Sequence, residues 1–219
     1  MEQLPLIKNN TQQSYLPEDY ILSKSNLTAY QHIIVEEWQQ HCMILYGSPG
    51  TGKSHLANIW GINNRATFLN PEIRFPTHDV SGSYILEDIE KISDPVSLLH
   101  LYNSTKENKC KLLFTTNTLP KLLPYQLADL RSRLLSVPLL KLLDGDQNLL
   151  KIILFKEFSL RQMHVSPGVI NYIINHAERS IHRLIKIVDI IDTSSLQSKH
   201  KITIPFVKTI IDSMNSPRG

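Results

Sequence analysis

The sequence predicts an α/β domain, a parallel five-stranded sheet with helices on both faces, followed by a small all-α domain. Three observations predict it. Short apolar runs alternate with segments of helical period up to residue 144, as expected of strand–helix–strand units. One of those runs ends directly in a glycine-rich loop that opens a helix, at Gly47-Ser48-Pro49-Gly50-Thr51-Gly52-Lys53-Ser54. Beyond Asp144 every apolar pattern has helical spacing and none alternates like a strand.

In chain order, residues 1–20 read as a flexible tail. Asn9-Asn10-Thr11-Gln12-Gln13-Ser14 is polar and without period, and Pro17 follows; such a stretch buries too little apolar surface to fold alone. Leu27, Tyr30, Ile34 and Trp38 fall at helical spacing, which predicts a helix over residues 26–40. Cys42-Met43-Ile44-Leu45-Tyr46 reads as a buried strand, and residues 53–62 as the helix after the loop. Further strands are expected at residues 66–69, 84–86, 111–116 and 137–142, with a helix over 95–105 whose first turn accommodates Pro95. Helices are then expected over 147–163, 166–175, 180–196 and 204–214, with Pro167 and Pro205 placed where a first turn tolerates them. The domains are thus a tail at 1–20, an α/β domain at 21–144 and a helical domain at 145–219.

Composition narrows the function classes. A net charge of +3 is too mild to indicate a nucleic-acid-binding surface, which concentrates basic residues on one face. Cys42 and Cys110 lie far apart, each in an expected buried strand, which fits a reducing compartment and not a disulfide scaffold. The nine histidines are scattered without paired ligand spacing, so a histidine metal centre is not expected. No apolar run approaches the roughly 18–20 residues of a membrane span, and the start of the chain lacks a signal-peptide pattern. These readings point to a cytoplasmic protein.

The loop carries the chemistry. Gly47 to Ser54 matches G-x-x-x-x-G-K-S/T. Its glycines let backbone amides turn inward onto phosphate oxygens, Lys53 supplies a cation for the outer phosphates, and the Ser54 hydroxyl can ligate Mg²⁺. A purine nucleoside triphosphate or its diphosphate is the implied ligand. A carboxylate is needed on a neighbouring strand to hold Mg²⁺ and orient water. Tyr84-Ile85-Leu86-Glu87-Asp88 supplies it, with Glu87 where Asp is usual, a longer arm that predicts slow hydrolysis. Asn117 ends the next strand, where a polar side chain can meet a γ-phosphate or the attacking water. Arg131 and Arg133 sit on a short segment at the domain edge, from which an arginine can reach a neighbour's nucleotide.

These residues resemble the AAA+ module of the bacterial initiator DnaA and its regulatory relative Hda, over about residues 15–213. Ser25-Asn26-Leu27-Thr28-Ala29 is similar to the segment preceding the phosphate loop in that family. Gly52-Lys53-Ser54-His55-Leu56-Ala57, with Ile59-Trp60, looks like the loop helix of the alphaproteobacterial Hda-like branch. Leu86-Glu87-Asp88-Ile89-Glu90 falls on the Walker B strand, Asn117 on sensor 1, and Leu130-Arg131-Ser132-Arg133-Leu134 on the arginine-finger box. The resemblance implies ATP or ADP with Mg²⁺ on Ser54, Glu87 and Asp88, nucleotide contacts along Gly47, Ser48, Pro49, Gly50, Thr51, Gly52, Lys53, Ser54 and His55, and Arg133 as the finger. Glu178 to Leu184 falls on the sensor 2 helix; by register the sensor is His182, where the family carries arginine, with Arg179 and Arg183 beside it.

Two features favour the Hda branch. Initiators continue from the lid into a helix-turn-helix domain, whereas this sequence reaches Gly219 just after its last expected lid helix, so direct sequence-specific DNA binding is not expected. Gln3-Leu4-Pro5-Leu6-Ile7 resembles the Q-L-x-L-F sliding-clamp peptide of Hda-like proteins, with Gln3, Leu4, Leu6 and Ile7 as its contacts. The implied partners are DnaA and the DNA polymerase III sliding clamp, with homo-oligomers open. The rival readings are an autonomous ATPase that loads or remodels a replication protein, and an adaptor stabilised by nucleotide.

Overall fold

The computed structural model describes residues 15–70, 80–198 and 201–215. The chain enters through a single turn at Pro17–Asp19 and a short helix, α1 (Leu27–Tyr30), that widens into a π-helical turn at Gln31–Val35. The α/β unit then runs β1 (Cys42–Tyr46), α2 (Lys53–Asn64), β2 (Thr67–Phe68), β3 (Ser83–Leu86), α3 (Pro95–Glu107), β4 (Lys111–Thr116), α4 (Ala128–Ser136) and β5 (Leu139–Lys141). Helices α5 (Gln147–Leu160), α6 (Pro167–His176), α7 (Ile181–Ser198) and α8 (Ile204–Asn215) follow.

The five strands form one sheet in the order β2-β3-β4-β1-β5, and every pairing is parallel. Parallel neighbours need crossover helices, and these cover both faces. On one face Ile44, Leu86, Leu112 and Phe114 pack with Leu98 and Leu101 of α3 and with Leu130 and Leu134 of α4. On the other, Leu45, Ile85 and Leu113 pack with Leu56, Ala57 and Trp60 of α2 and with Ala29 and Ile33. The alternation of side chains along each strand therefore fills two cores at once. Leu150, Leu154, Ile173, Leu184, Val188 and Val207 build a third, separate core inside the helical unit.

Helix starts are written into the sequence. Asp94 accepts from the amides of Val96 and Ser97 at 3.0 and 3.1 Å, ahead of Pro95. Asp146 accepts from the Leu149 amide at 2.9 Å and opens α5 two residues past the expected boundary at 144. Each such side chain satisfies a donor that the first helical turn leaves without a partner.

Two expectations are corrected. The helix expected over 26–40 ends at Val35, and Glu36 is extended (φ −84, ψ 149). Trp38 still reaches the core, from the non-helical segment that follows: its indole N–H donates to the Ile33 carbonyl at 3.2 Å and its ring stacks on Trp60 at 4.7 Å. The helical spacing of Trp38 was real, but the π-turn and this stack placed it. The end of the tail expected over 1–20 is held against the α/β unit: Tyr15 and Tyr20 meet the His55 ring edge-on and Tyr20 stacks on Tyr30, while residues 15–18 remain exposed. Gln3, Leu4, Leu6 and Ile7 lie outside the described residues.

Candidate functional site

The sheet order sets the site. β1 lies between β4 and β5, one strand in from the edge of the sheet, so the loop leaving its carboxyl end is flanked by the ends of β4 and β5, with β3 on the far side of β4. This is where open parallel sheets place their ligand crevice. Gly47 hydrogen-bonds the Thr116 carbonyl at 3.3 Å, tying the loop to the end of β4. A Cβ on Gly47 would lie 2.7 Å from Thr51 Oγ1 and 2.8 Å from the Leu142 carbonyl, so only glycine fits between β1 and β5. Gly50 and Gly52 take left-handed backbone (φ 78 and 94), which turns the chain so that α2 begins at Lys53 with its amino end toward the loop.

The helical unit closes over this loop. The Ile181 amide, in the first turn of α7, donates to the Gly50 carbonyl at 3.2 Å. A Cβ on Gly50 would fall 2.0 Å from Ser180 Oγ. A second join is made by Lys156 of α5, which pairs with Asp19. The two units thus meet at the phosphate loop and at the segment before α1.

Lys53 is 7% exposed. Its ammonium donates to the carbonyls of Gly47 (2.8 Å) and Ser48 (3.0 Å) and to Asn117 Oδ1 (2.6 Å). Burial pulls its pKa down, and the carboxylates of Asp88, Glu90 and Glu87 oppose that pull. The Asn117 side-chain amide donates in turn to Glu90 Oε1 at 2.7 Å and to Asp88 Oδ1 at 3.4 Å, while its backbone amide donates to the same Glu90 oxygen at 3.1 Å. The sequence-predicted Lys53, Asp88 and Asn117 are therefore one connected network, and Glu90 joins it.

Glu87 and Asp88 stand differently. Glu87 Oε1 is buried without a hydrogen-bond partner among the described residues. A buried carboxylate oxygen without a donor calls for a cation or water, which fits Mg²⁺ held by Glu87, Ser54 and ligand phosphates. Among the described residues no cluster of three or more His, Cys, Asp or Glu could hold a metal alone, so phosphate oxygens would have to complete the shell. Asp88 adopts left-handed backbone (φ 52), fixed by its amide donating to Thr115 Oγ1 at 3.1 Å, and its carboxylate pairs with Lys91 at 2.7 Å.

The other candidates divide. Arg133 lies on α4 and pairs with Asp129 at 3.1 Å, its guanidinium over the Tyr102 ring at 5.7 Å; among the described residues its side chain makes no hydrogen bond or ion pair with the phosphate loop. Arg131 is exposed on the same helix. Arg183 donates to the Met214 carbonyl at 3.1 Å, closing the last turn of α8, while Arg179 and His182 are exposed at the start of α7. His55 bonds the Leu16 carbonyl through Nε2 at 2.9 Å, with Tyr15 and Tyr20 edge-on against its ring. Burial is the main force lowering its pKa. Sequence reasoning gave no role to Glu90, Tyr15 or Asp129. Glu90 could not be found from spacing, because the single turn at Ile89–Lys91 folds it back against the end of β4.

Residues 146–211 match the family model for the lid domain of Hda. Domain III of the replication initiation protein DnaA from Thermotoga maritima has the same fold, with a TM-score of 0.77 at 16% identity over 93% of this chain and 98% of that one. This chain therefore carries an Hda-type lid domain and has the fold of DnaA domain III. AMPPCP-bound DnaA from Aquifex aeolicus is similar at TM-score 0.67 and 18% identity, over 81% of this chain and 64% of that longer one. The Holliday junction branch migration motor RuvB of Thermotoga maritima shares the fold at TM-score 0.63 and 18% identity, over 79% and 62% of the two chains. An uncharacterized protein of Haemophilus influenzae is 27% identical over 195 residues, covering 80% of this chain and 83% of that protein. α5 to α8, which begin at Gln147, therefore lie in or around the stretch that matches the Hda lid domain, and no helix among the described residues is long and apolar enough to cross a membrane.

Proposed function

We propose that this chain is a nucleotide-controlled, cytoplasmic regulator of replication initiation of the Hda type, which promotes hydrolysis of ATP on DnaA. The observation that carries the reading is the separation of two sites on one module. A phosphate loop is covered by an Hda-type lid through Ile181 and Gly50, while Arg133 stands on another helix, touching Asp129 and Tyr102 and not its own loop.

In this reading ATP or ADP lies between sheet and lid. Amides of the loop and the amino end of α2 take the phosphates, and Lys53 moves from Asn117 onto them. Mg²⁺, held by Ser54, Glu87 and the phosphate oxygens, would neutralise phosphate charge. Asp88 is already paired with Lys91, which favours a resident nucleotide that sets lid position over one that turns over rapidly. The module docks on ATP-bound DnaA and Arg133 leaves Asp129 for the partner's γ-phosphate, where a guanidinium stabilises transition-state charge. Gln3, Leu4, Leu6 and Ile7 engage the sliding clamp and concentrate the module at DNA.

The test is where hydrolysis occurs. Purified protein, DnaA carrying labelled ATP, and clamp loaded on DNA are combined, and turnover is compared with that of each component alone. Hydrolysis of DnaA-bound ATP should rise while the chain's own turnover stays low. A second reading, an autonomous ATPase, is favoured by the unpartnered Glu87 Oε1. It predicts substantial turnover by the chain alone, lost in Glu87→Gln or Asp88→Asn.

A further inference from the structure

We propose that Glu90 is a positioning residue that fixes the side-chain amide of Asn117 with its carbonyl oxygen, not its NH2 group, toward the phosphate loop. The proposal rests on the nucleotide-binding part of the reading above. Hydrogen-bond chemistry decides the orientation. Lys53 can only donate, and it stands 2.6 Å from the Asn117 side chain. Glu90 and Asp88 are carboxylates that accept, and Glu90 Oε1 stands 2.7 Å from the other amide atom. Rotating the amide by half a turn would set two donors against each other on one side and two acceptors on the other.

Glu90 is held for this task. Its Oε1 receives both the backbone and the side-chain N–H of Asn117 at 3.1 and 2.7 Å. The carboxylate is brought there by the turn at Ile89–Lys91, which Tyr125 anchors through its hydroxyl on the Ile89 carbonyl. Its second oxygen, Oε2, is buried with no partner among the described residues, so the donors that hold this carboxylate are those of Asn117. Asp88 is the weaker holder, at 3.4 Å.

The consequence lies in how the site reads a third phosphate. A free asparagine at the end of β4 would offer an N–H to a γ-phosphate. A locked one offers an acceptor, which cannot bond a phosphate oxygen and is satisfied only by Lys53 or by water. When Lys53 moves to the phosphates, Asn117 adds nothing in favour of the triphosphate. Glu90 thereby mutes γ-phosphate recognition by this chain.

The experiment measures ATP and ADP affinities, with Mg²⁺, for the wild type, Glu90→Gln, Glu90→Ala and Asn117→Ala. Glutamine keeps an acceptor oxygen for Asn117 but removes the charge. Alanine removes both. The ATP-to-ADP affinity ratio should stay at the wild-type value in Glu90→Gln and rise about tenfold in Glu90→Ala, the scale of one new hydrogen bond to a charged oxygen. Asn117→Ala, which needs no change at Glu90, should leave ATP no weaker relative to ADP. An equal shift in Glu90→Gln would mean charge and not orientation, and an unmoved ratio in Glu90→Ala would mean no lock; either overturns the proposal. So does selective weakening of ATP in Asn117→Ala. If the wild type bound neither nucleotide, the nucleotide-binding reading itself would fall, and the proposal with it.

Discussion

The Ile181 amide donates to the Gly50 carbonyl across 3.2 Å, so the first turn of the lid's third helix rests directly on the phosphate loop. Any change in the loop is felt by the lid. Gly50→Ala would place a Cβ 2.0 Å from Ser180 Oγ on backbone with φ 78. The left-handed strain alone costs about 1 kcal/mol, and the contact pushes Ser180 aside. Nucleotide affinity should fall at least about fivefold, measured by fluorescent-nucleotide titration, and the lid should become more sensitive to protease.

Lys53→Met removes the cation while keeping the stem. Charged hydrogen bonds contribute about 1.5–3 kcal/mol each, so affinity for either nucleotide should fall by roughly ten- to a hundredfold. Calorimetric titration would read it, with circular dichroism showing the fold intact.

Trp38→Ala tests the corrected N-terminal packing. Trp38 is 8% exposed, stacks on Trp60 and donates to Ile33. Truncating a buried aromatic costs about 3–5 kcal/mol, and the urea midpoint should drop accordingly. A loss under about 1 kcal/mol would fit instead a Trp38 at the exposed end of a helix.

His55 gives stability a pH dependence. Its folded pKa lies below the ordinary value of 6.5, chiefly through burial, so the unfolded chain binds the proton more readily. Stability from the neutral ring is full above that ordinary value and is lost as pH falls below it toward the lowered folded pKa. The melting temperature should therefore decline on acidification below about 6.5, and His55→Gln should flatten that part of the decline.

Much of this was legible in the sequence for physical reasons. Strand β1, the Gly47–Ser54 loop and α2 are local: an apolar run, glycines with left-handed backbone and a helix start are all encoded within adjacent residues. The two-face sheet followed from alternation of strand and helix. What was not legible depends on long-range placement. Glu90 meets Asn117 only because β3 and β4 are neighbours and a single turn folds back. His55 is taken up by Leu16, Tyr15 and Tyr20, a contact across some forty positions that no period announces. Arg183, which neighbours the register position His182, closes α8 because the lid core orients its side of α7 that way.

In the proposed function the Asp129–Arg133 pair is the resting position of the arginine. It is an exposed pair four residues apart on a helix, of a kind that contributes about 0.3–0.5 kcal/mol. Asp129→Ala should therefore change the melting temperature little, and stimulation of DnaA-bound ATP hydrolysis should be kept or raised.

In the proposed function Arg133 acts on the partner's nucleotide. The measurement is hydrolysis of ATP bound to DnaA, with clamp on DNA, comparing wild type, Arg133→Ala and Arg133→Lys. Stimulation should be lost in both variants, since a lysine lacks the planar fork, with nucleotide binding by the chain itself unchanged. Stimulation by Arg133→Ala at the wild-type rate would contradict it.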